Sequence, residues 1–172
     1  NLAFSLSLSS TNKTFNLGFT EPYLMDTKWT AGGDIFRTEN SSDTSFEYRK
    51  KGFDTRVGYP IFEYTRLFMT YKFEDTRLKV VNDVTVDEEV ENGISTSVRA
   101  TVVRDTRNHR FEPTKGIYLS FSSEYSGLGG DKKWWKNEFD GRFFKRVYGD
   151  LIFRSRLYTG RLERINSKEI PR

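Results

Sequence analysis

The sequence predicts an all-β protein, an antiparallel meander of about nine long strands that forms part of a transmembrane β-barrel. Apolar and polar residues alternate with a period of two along nearly the whole chain. Aromatic residues make up 16% of the sequence and are spread from one end to the other, while charged residues reach 30% and often take every second position. A barrel with a wet interior needs this mixture, because one face of each strand meets lipid and the other meets water.

Nine segments carry the alternation, and we expect each of them to pair with its neighbours along the chain. They lie at 2–10, 14–20, 28–38, 44–59, 64–76, 94–104, 116–126, 134–148 and 150–163. Segments near ten residues suit a tilted crossing of a bilayer, whereas strands of globular proteins average about five or six.

The first three segments show the alternation most plainly. In the first, serines separate four apolar residues of the same parity: Leu2, Phe4, Leu6 and Leu8. Phe15 and Phe19 carry the second segment, which forms a hairpin with the first. The run Glu21, Pro22 and Tyr23 then interrupts pairing, because proline lacks the N–H that a central strand needs. Trp29 and Ile35 lie in the third segment.

The fourth segment changes parity along its length. Tyr48 is an even-numbered aromatic residue, whereas Phe53 and Val57 are odd-numbered. A β-bulge at residues 50–52 would keep the apolar side chains on one face, and we expect one there. Pro60 ends this segment in a tight turn.

The later segments keep the alternation, so each side chain can be assigned to a face. We expect one set to point to lipid: Leu67, Met69, Tyr71, Phe121, Phe139 and Phe143. A second set should point to the lumen: Arg66, Lys72, Glu138, Asp140 and Arg142.

The connections also alternate in style. Short turns marked by proline or glycine are expected near 21–26, 60–64, 105–115 and 149–150. Looser polar loops are expected near 38–44, 75–93 and 126–133. Short turns on one side and longer loops on the other are typical of outer-membrane barrels.

The composition argues against several classes of site. Cysteine is absent and His109 is the one histidine, so neither a thiolate or histidine metal site nor a Ser-His-Asp triad is expected. The 28 Lys and Arg are interleaved with 24 Asp and Glu, which argues against a nucleic-acid partner despite the net charge of +4. The acids at 87–91 lack calcium-loop spacing and indicate a hydrophilic loop. We therefore expect no enzyme activity and no cofactor.

Three stretches resemble the barrel domain of the BamA family, the bacterial surface antigen group. The first is Phe19-Thr20-Glu21-Pro22-Tyr23-Leu24, and the second is Val57-Gly58-Tyr59-Pro60-Ile61. The third includes Arg104-Asp105-Thr106-Arg107, Phe111-Glu112-Pro113-Thr114-Lys115-Gly116 and Gly127-Leu128-Gly129-Gly130-Asp131. Each motif is weak alone, but together they cover essentially the whole chain in a fixed order. The residues that carry the turn motifs are Glu21, Pro22, Tyr23, Pro60, Arg104, Asp105, Pro113 and Gly116.

The resemblance implies that residues 1–172 are the N-terminal half of a sixteen-stranded barrel in the bacterial outer membrane. Periplasmic domains and the remaining strands are expected to lie outside this chain. The implied function is the folding and insertion of outer-membrane proteins. The implied partners are outer-membrane lipids, unfolded outer-membrane protein clients and the lipoproteins of the assembly machine. The resemblance also implies that the first strand opens sideways and templates a client strand, with Leu2, Phe4, Leu6 and Leu8 on the client-strand edge.

Two other classes of protein fit the same residues. A pore or transport barrel of the same superfamily would have the same strands with a different use. A soluble β-sandwich binding module would pack its Phe and Leu faces into one core.

Overall fold

The computed structural model describes residues 2–9, 11–41, 46–80, 92–130 and 132–165. Its strands are β1 Leu2–Leu8, β2 Asn12–Glu21, β3 Thr30–Ser41, β4 Phe46–Phe62, β5 Thr65–Val80, β6 Gly93–Asp105, β7 Gly116–Ser126, β8 Trp134–Tyr148 and β9 Leu151–Arg164. One short 3-10 turn, Leu24–Asp26, lies between β2 and β3. In these ranges, no helix is long and apolar enough to cross a membrane.

The strands form one antiparallel sheet in the order β1-β2-β3-β4-β5-β6-β7-β8-β9. Each strand therefore pairs with its neighbours in sequence, and the predicted nine-stranded meander is confirmed. Among the described residues no hydrophobic side chain is buried, and no second sheet covers the first. The arrangement lacks the core that a soluble sandwich requires.

The register of the sheet separates apolar from ionic side chains. One row of cross-strand partners runs Phe4, Leu17, Ile35, Phe53 and Phe73, and it defines what we call the apolar face. Residues of the other parity define the ionic face. The six residues predicted to point to lipid all lie on the apolar face, and the five predicted for the lumen all lie on the ionic face.

The β-bulge predicted at residues 50–52 is wrong. Lys50, Lys51 and Gly52 pair in unbroken register with both β3 and β5, and the irregularity lies instead between Pro60 and Phe62. The apparent change of parity has a different cause. Before Phe53 in the chain, the apolar face carries the charged residues Lys51 and Arg49. Tyr48 has the other parity, so its ring belongs to the ionic face.

The connections lie at two ends of the sheet. Segments 22–29, 63–64, 106–115 and 149–150 form one end, called the turn end. The opposite ends of the strands, which include Leu8, Ser41, Gly93 and Ser126, form the other, called the loop end. The expectation that the turn end has the shorter connections is wrong for 106–115, which is longer than 127–133.

β3 and β5 also extend into predicted loops, because backbone pairing continues where both faces are polar. The acidic run 87–91 lies outside the described residues.

Ion pairs across strands connect much of the ionic face. Arg56 of β4 is 2.6 Å from Asp34 of β3. Glu74 of β5 is 2.9 Å from Lys50 of the neighbouring strand and 2.6 Å from Lys72 on its own strand. Farther along the sheet, further pairs are Arg99–Glu124, which joins β6 to β7, and Arg156–Asp140, which joins β8 to β9. The ionic face thus compensates its charges locally, as a water-filled interior demands.

We predict that Met69→Lys destabilises the protein by about 2–4 kcal/mol, since an ammonium group on the apolar face would have to enter the hydrocarbon of the bilayer. The matched control is Thr101→Lys, which places the same group on the ionic face of the neighbouring strand. Urea unfolding of the protein refolded into lipid vesicles measures both changes. Equal destabilisation by the two variants would contradict the assignment of faces.

A second prediction concerns Asp140, which accepts hydrogen bonds from Arg142 and Arg156. These two arginines are direct cross-strand partners, so Asp140→Asn leaves like charges facing each other. We expect a loss of about 1–2 kcal/mol in unfolding free energy, limited by the partial exposure of both guanidinium groups. Glu163→Gln is the control, because its pair with Arg161 is exposed on both sides. A loss as large in the control would show that the network adds nothing.

Candidate functional site

The first strand differs from the rest of the sheet. β1 has 7 residues, whereas β4 has 17 and β9 has 14. Its sequence, LAFSLSL, contains no charged side chain, and every one of its residues is exposed. β1 also ends the strand order, with β2 as its sole partner among the described strands. The backbone N–H and C=O groups on its other side have no strand partner within the described sheet.

Backbone pairing and apolar cross-strand neighbours attach β1 to the sheet: Leu2 lies opposite Phe19, and Leu6 lies opposite Phe15. The Phe4 and Phe15 rings meet edge to face, with centroids 5.7 Å apart. At the turn between the strands, the Ser9 N–H donates to the Asn12 carbonyl at 2.8 Å. Because β1 carries no charge, it cannot form the ion pairs that join strands farther along the sheet. Its attachment to β2 rests on these apolar neighbours and on backbone hydrogen bonds, each worth about 0.5–1.5 kcal/mol net.

The four residues assigned to the client-strand edge share the apolar face of β1. They are between 54% and 74% exposed: Leu2, Phe4, Leu6 and Leu8. Their side chains project from the face of the sheet, whereas the edge itself consists of main-chain groups. Ala3, Ser5 and Ser7 take the opposite face and give little bulk there.

The first turn motif orders the connection after β2. The Glu21 carboxylate accepts a hydrogen bond from the Tyr23 N–H at 3.4 Å. The Pro22 carbonyl accepts one from the Thr30 hydroxyl at 3.0 Å, which ties the turn to the start of β3. Trp29 packs against Tyr59 of β4, with ring centroids 4.7 Å apart. These contacts hold the connection between β2 and β3 in one conformation.

Pro60 lies inside β4, where it pairs with Arg66 next to the register shift. The two-residue connection that follows includes Tyr64 in the left-handed region, at φ 59°. The Asp105 N–H donates to the Tyr64 carbonyl at 2.9 Å, so this turn is joined to the end of β6. The prediction that Pro60 ends the strand is therefore wrong by two residues, because pairing continues past the register shift to Phe62 before the chain turns.

Arg104 and Asp105 point to opposite faces, because they are consecutive residues of β6. Asp105 binds Arg107, two residues along, with Nε–Oδ1 and Nη2–Oδ2 distances of 2.8 and 2.7 Å. This hydrogen bond raises the pKa of Arg107 above its usual value. The pair is local and does not reach across the turn end to another strand.

Asn108 organises the rest of this connection, which the sequence did not reveal. Its side-chain oxygen accepts from the N–H groups of Thr114 and Lys115, both at 3.1 Å. Pro113, within this turn, is buried. Gly116 has φ 110°, and a Cβ at this position would collide with the Thr106 carbonyl oxygen. A long turn is therefore held as firmly as a short one.

Tyr118 lies between two guanidinium groups on the ionic face. The Arg107 and Arg142 carbons are 4.8 and 5.0 Å from its ring centroid. The contact links the turn at 106–115 to β7 and β8. No alternation in the sequence marks these three residues as neighbours, because the contact depends on register between strands. This cluster was missed from the sequence.

The structure does not bring β1 and the 106–115 turn together. β1 is paired to β2, and four strands separate it from β6. At about 4.8 Å per strand, the two features lie some 24 Å apart along the sheet. The described residues also contain no group of His, Asp or Glu side chains arranged to hold a metal ion. The outer side of β1 and the turn clusters are thus separate features, one for pairing and one for rigidity.

Comparison with known proteins identifies the family to which the sheet belongs. Residues 1–172 match the model of the Omp85 superfamily domain. The outer membrane protein assembly factor BamA of Neorickettsia risticii is 23% identical over 152 residues, covering 86% of this chain and 21% of that protein. A sorting and assembly machinery component 50 homolog of Xenopus tropicalis is 21% identical over 174 residues, covering 97% and 36% respectively.

A solved structure shares the fold. The sheet superimposes on the crystal structure of BamA from Haemophilus ducreyi lacking POTRA domains 1–3 with a TM-score of 0.79. The identity is 15%, and the match covers 99% of this chain and 36% of that one. The chain spans between 21% and 36% of the length of the curated relatives it matches. From the match of the superfamily model over residues 1–172, the chain belongs to the Omp85 superfamily.

Proposed function

We propose that this chain is part of an outer-membrane β-barrel that folds and inserts other β-barrel proteins, with β1 as the template strand. The observation that carries the proposal is the short and uncharged pairing of β1, which within the described sheet has none of the ion pairs that join strands farther along. It is the shortest of the described strands and is uncharged, and among the described residues Phe4–Phe15 is the one aromatic pair that joins it to β2. The names of the BamA relatives, which are assembly factors, support the same role.

The mechanism is strand addition. An incoming extended segment pairs its backbone with the open side of β1, and the main-chain hydrogen bonds supply affinity without a demand for particular side chains. Such a site accepts many client sequences, since every peptide offers the same N–H and C=O groups. The alternating Leu and Phe side chains of β1 set which face of the client strand meets lipid.

The rest of the sheet would act as the fixed frame. Cross-strand ion pairs begin between β3 and β4, where Arg56 meets Asp34 at 2.6 Å. The hydrogen-bonded turns at 22–29 and 106–115 hold the register at the turn end. Displacement of β1 therefore leaves the neighbouring pairs intact, and the role needs no reaction chemistry or cofactor.

The setting that we propose is a sixteen-stranded barrel in a bacterial outer membrane. Two of the relatives are bacterial assembly factors, which supports that location. The apolar face would meet outer-membrane lipids. Unfolded outer-membrane proteins would be the clients, and lipoproteins of the assembly machine the partners.

The alternative is a pore or transport barrel of the same superfamily. Its support is the ionic face, where compensated charges such as Arg99 and Glu124 would line a water-filled passage. In that role β1 would stay closed against the last strand of the barrel, and its pairing would be structural alone.

A disulfide lock distinguishes the two functions. In the full-length protein, Ser5→Cys paired with a cysteine at the facing position of the closing strand would hold the barrel shut. We expect the oxidised protein to remain folded and to lose client insertion into vesicles, and reduction to restore it. Normal insertion by the oxidised protein would favour the pore or transport function.

The control lock joins β1 to β2 instead. Ser7 and Thr14 are cross-strand partners, so Ser7→Cys with Thr14→Cys binds β1 to its neighbour and leaves its outer side open. The chain has no natural cysteine that could compete for the bond. Insertion should continue in this variant whether oxidised or reduced. Loss of insertion here would show that β1 must leave β2, which contradicts the proposed template geometry.

A further inference from the structure

The apolar face ends abruptly toward the loop end of β2 to β5. Along each strand in the direction of the loop end, an aromatic or aliphatic residue gives way, two positions farther, to a charged one. The transitions are Phe15 to Lys13, Ile35 to Arg37, Phe53 to Lys51 and Phe73 to Asp75. With Arg49 and Arg77 beyond them, five cations share this part of the face with the acids Glu39, Glu47 and Asp75. The band is therefore net positive.

Two pairs of these cations face each other directly. Arg37 lies opposite Lys51, and Arg49 lies opposite Arg77. Like charges at such positions destabilise a sheet unless an anion lies near them. Three acids lie beside these four cations and compensate their charge only in part: Arg37 pairs with Glu39, and Arg49 lies 3.6 Å from Glu47. Lys51 and Arg77 share Asp75, at 3.5 and 3.4 Å, and the side chains of all four cations are at least 60% exposed.

An apolar groove of about 980 Å³ leads up to this band. Gly33 and Thr55, which are cross-strand partners, form its shallow floor. A Cβ on Gly33 would lie 2.8 Å from the Asp54 carbonyl oxygen, so the backbones are packed closely here. Phe15, Ile35 and Phe53 stand around the floor, while Arg37 and Lys51 line the groove at its charged end.

We infer that this groove and the band above it bind an anionic membrane lipid. An acyl chain fills the apolar groove, and the headgroup phosphate lies between Arg37 and Lys51, where it relieves their repulsion. Guanidinium and ammonium groups at the edge of a hydrocarbon layer bind phosphate by charge-assisted hydrogen bonds. The outer halves of β6 to β8 differ, since Ile94, Tyr125 and Trp135 occupy the apolar face there. The inference rests on the membrane setting and not on a role in assembly.

Native mass spectrometry of the refolded full-length protein tests the site. The probes are phosphatidylglycerol and phosphatidylcholine with identical acyl chains, added in equal amounts. Wild type should retain phosphatidylglycerol preferentially. In Arg37→Gln with Lys51→Gln the preference should fall about fivefold for each cation removed. Thr55→Trp, which fills the groove, should weaken retention of both lipids alike.

The matched control is Lys145→Gln with Arg161→Gln, which removes two cations from the apolar face of β8 and β9, outside the groove. This variant should keep the wild-type preference. Equal retention of the two lipids by wild type would overturn the inference, and so would an equal loss of preference in the control. Should the double variant fail to refold, the single substitutions carry the same comparison. Client insertion is not the readout, so the result is independent of the proposed function.

Discussion

Backbone hydrogen bonding between adjacent strands is the constraint on which this structure depends. In hydrocarbon no water can pair with an N–H or C=O group, so each strand of a spanning sheet requires a neighbour on both sides. The meander meets this demand for β2 to β8 by joining every strand to its neighbours in sequence. Register then follows, and register decides which side chains meet lipid and which meet water. Within the described sheet the exceptions are β1 and β9, each of which has one neighbour.

The same constraint explains how much could be read from the sequence. A strand with one lipid face and one wet face must alternate, so the nine strands and the faces of Met69 and Asp140 followed from parity alone. Parity failed where both faces become polar. Before Phe53, at residues 49–52, the alternation between apolar and polar residues is absent, and its loss resembled a bulge although the pairing is unbroken.

Contacts that join distant parts of the chain could not be predicted in this way. Asn108 spans its own turn, and Tyr118 receives Arg107 and Arg142 from separate segments. Each depends on where a turn brings the chain back, which is a property of three-dimensional geometry and not of local pattern. The turn motifs at Glu21 and Pro113 were found because proline restricts the backbone wherever it occurs. Their partners were not found.

In the described part of the sheet, ion pairs between strands are absent next to β1 and present farther along. The resistance of the sheet to force therefore depends on the direction of the pull. A force that pulls β1 sideways peels the sheet and loads main-chain bonds one after another, starting from the free end of the strand. The first resistance from charge is met at Arg56 and Asp34, two interfaces farther in. A pull along the strand axis would instead shear all the bonds of β1 together. The sheet is thus compliant to lateral peeling and stiff to axial load.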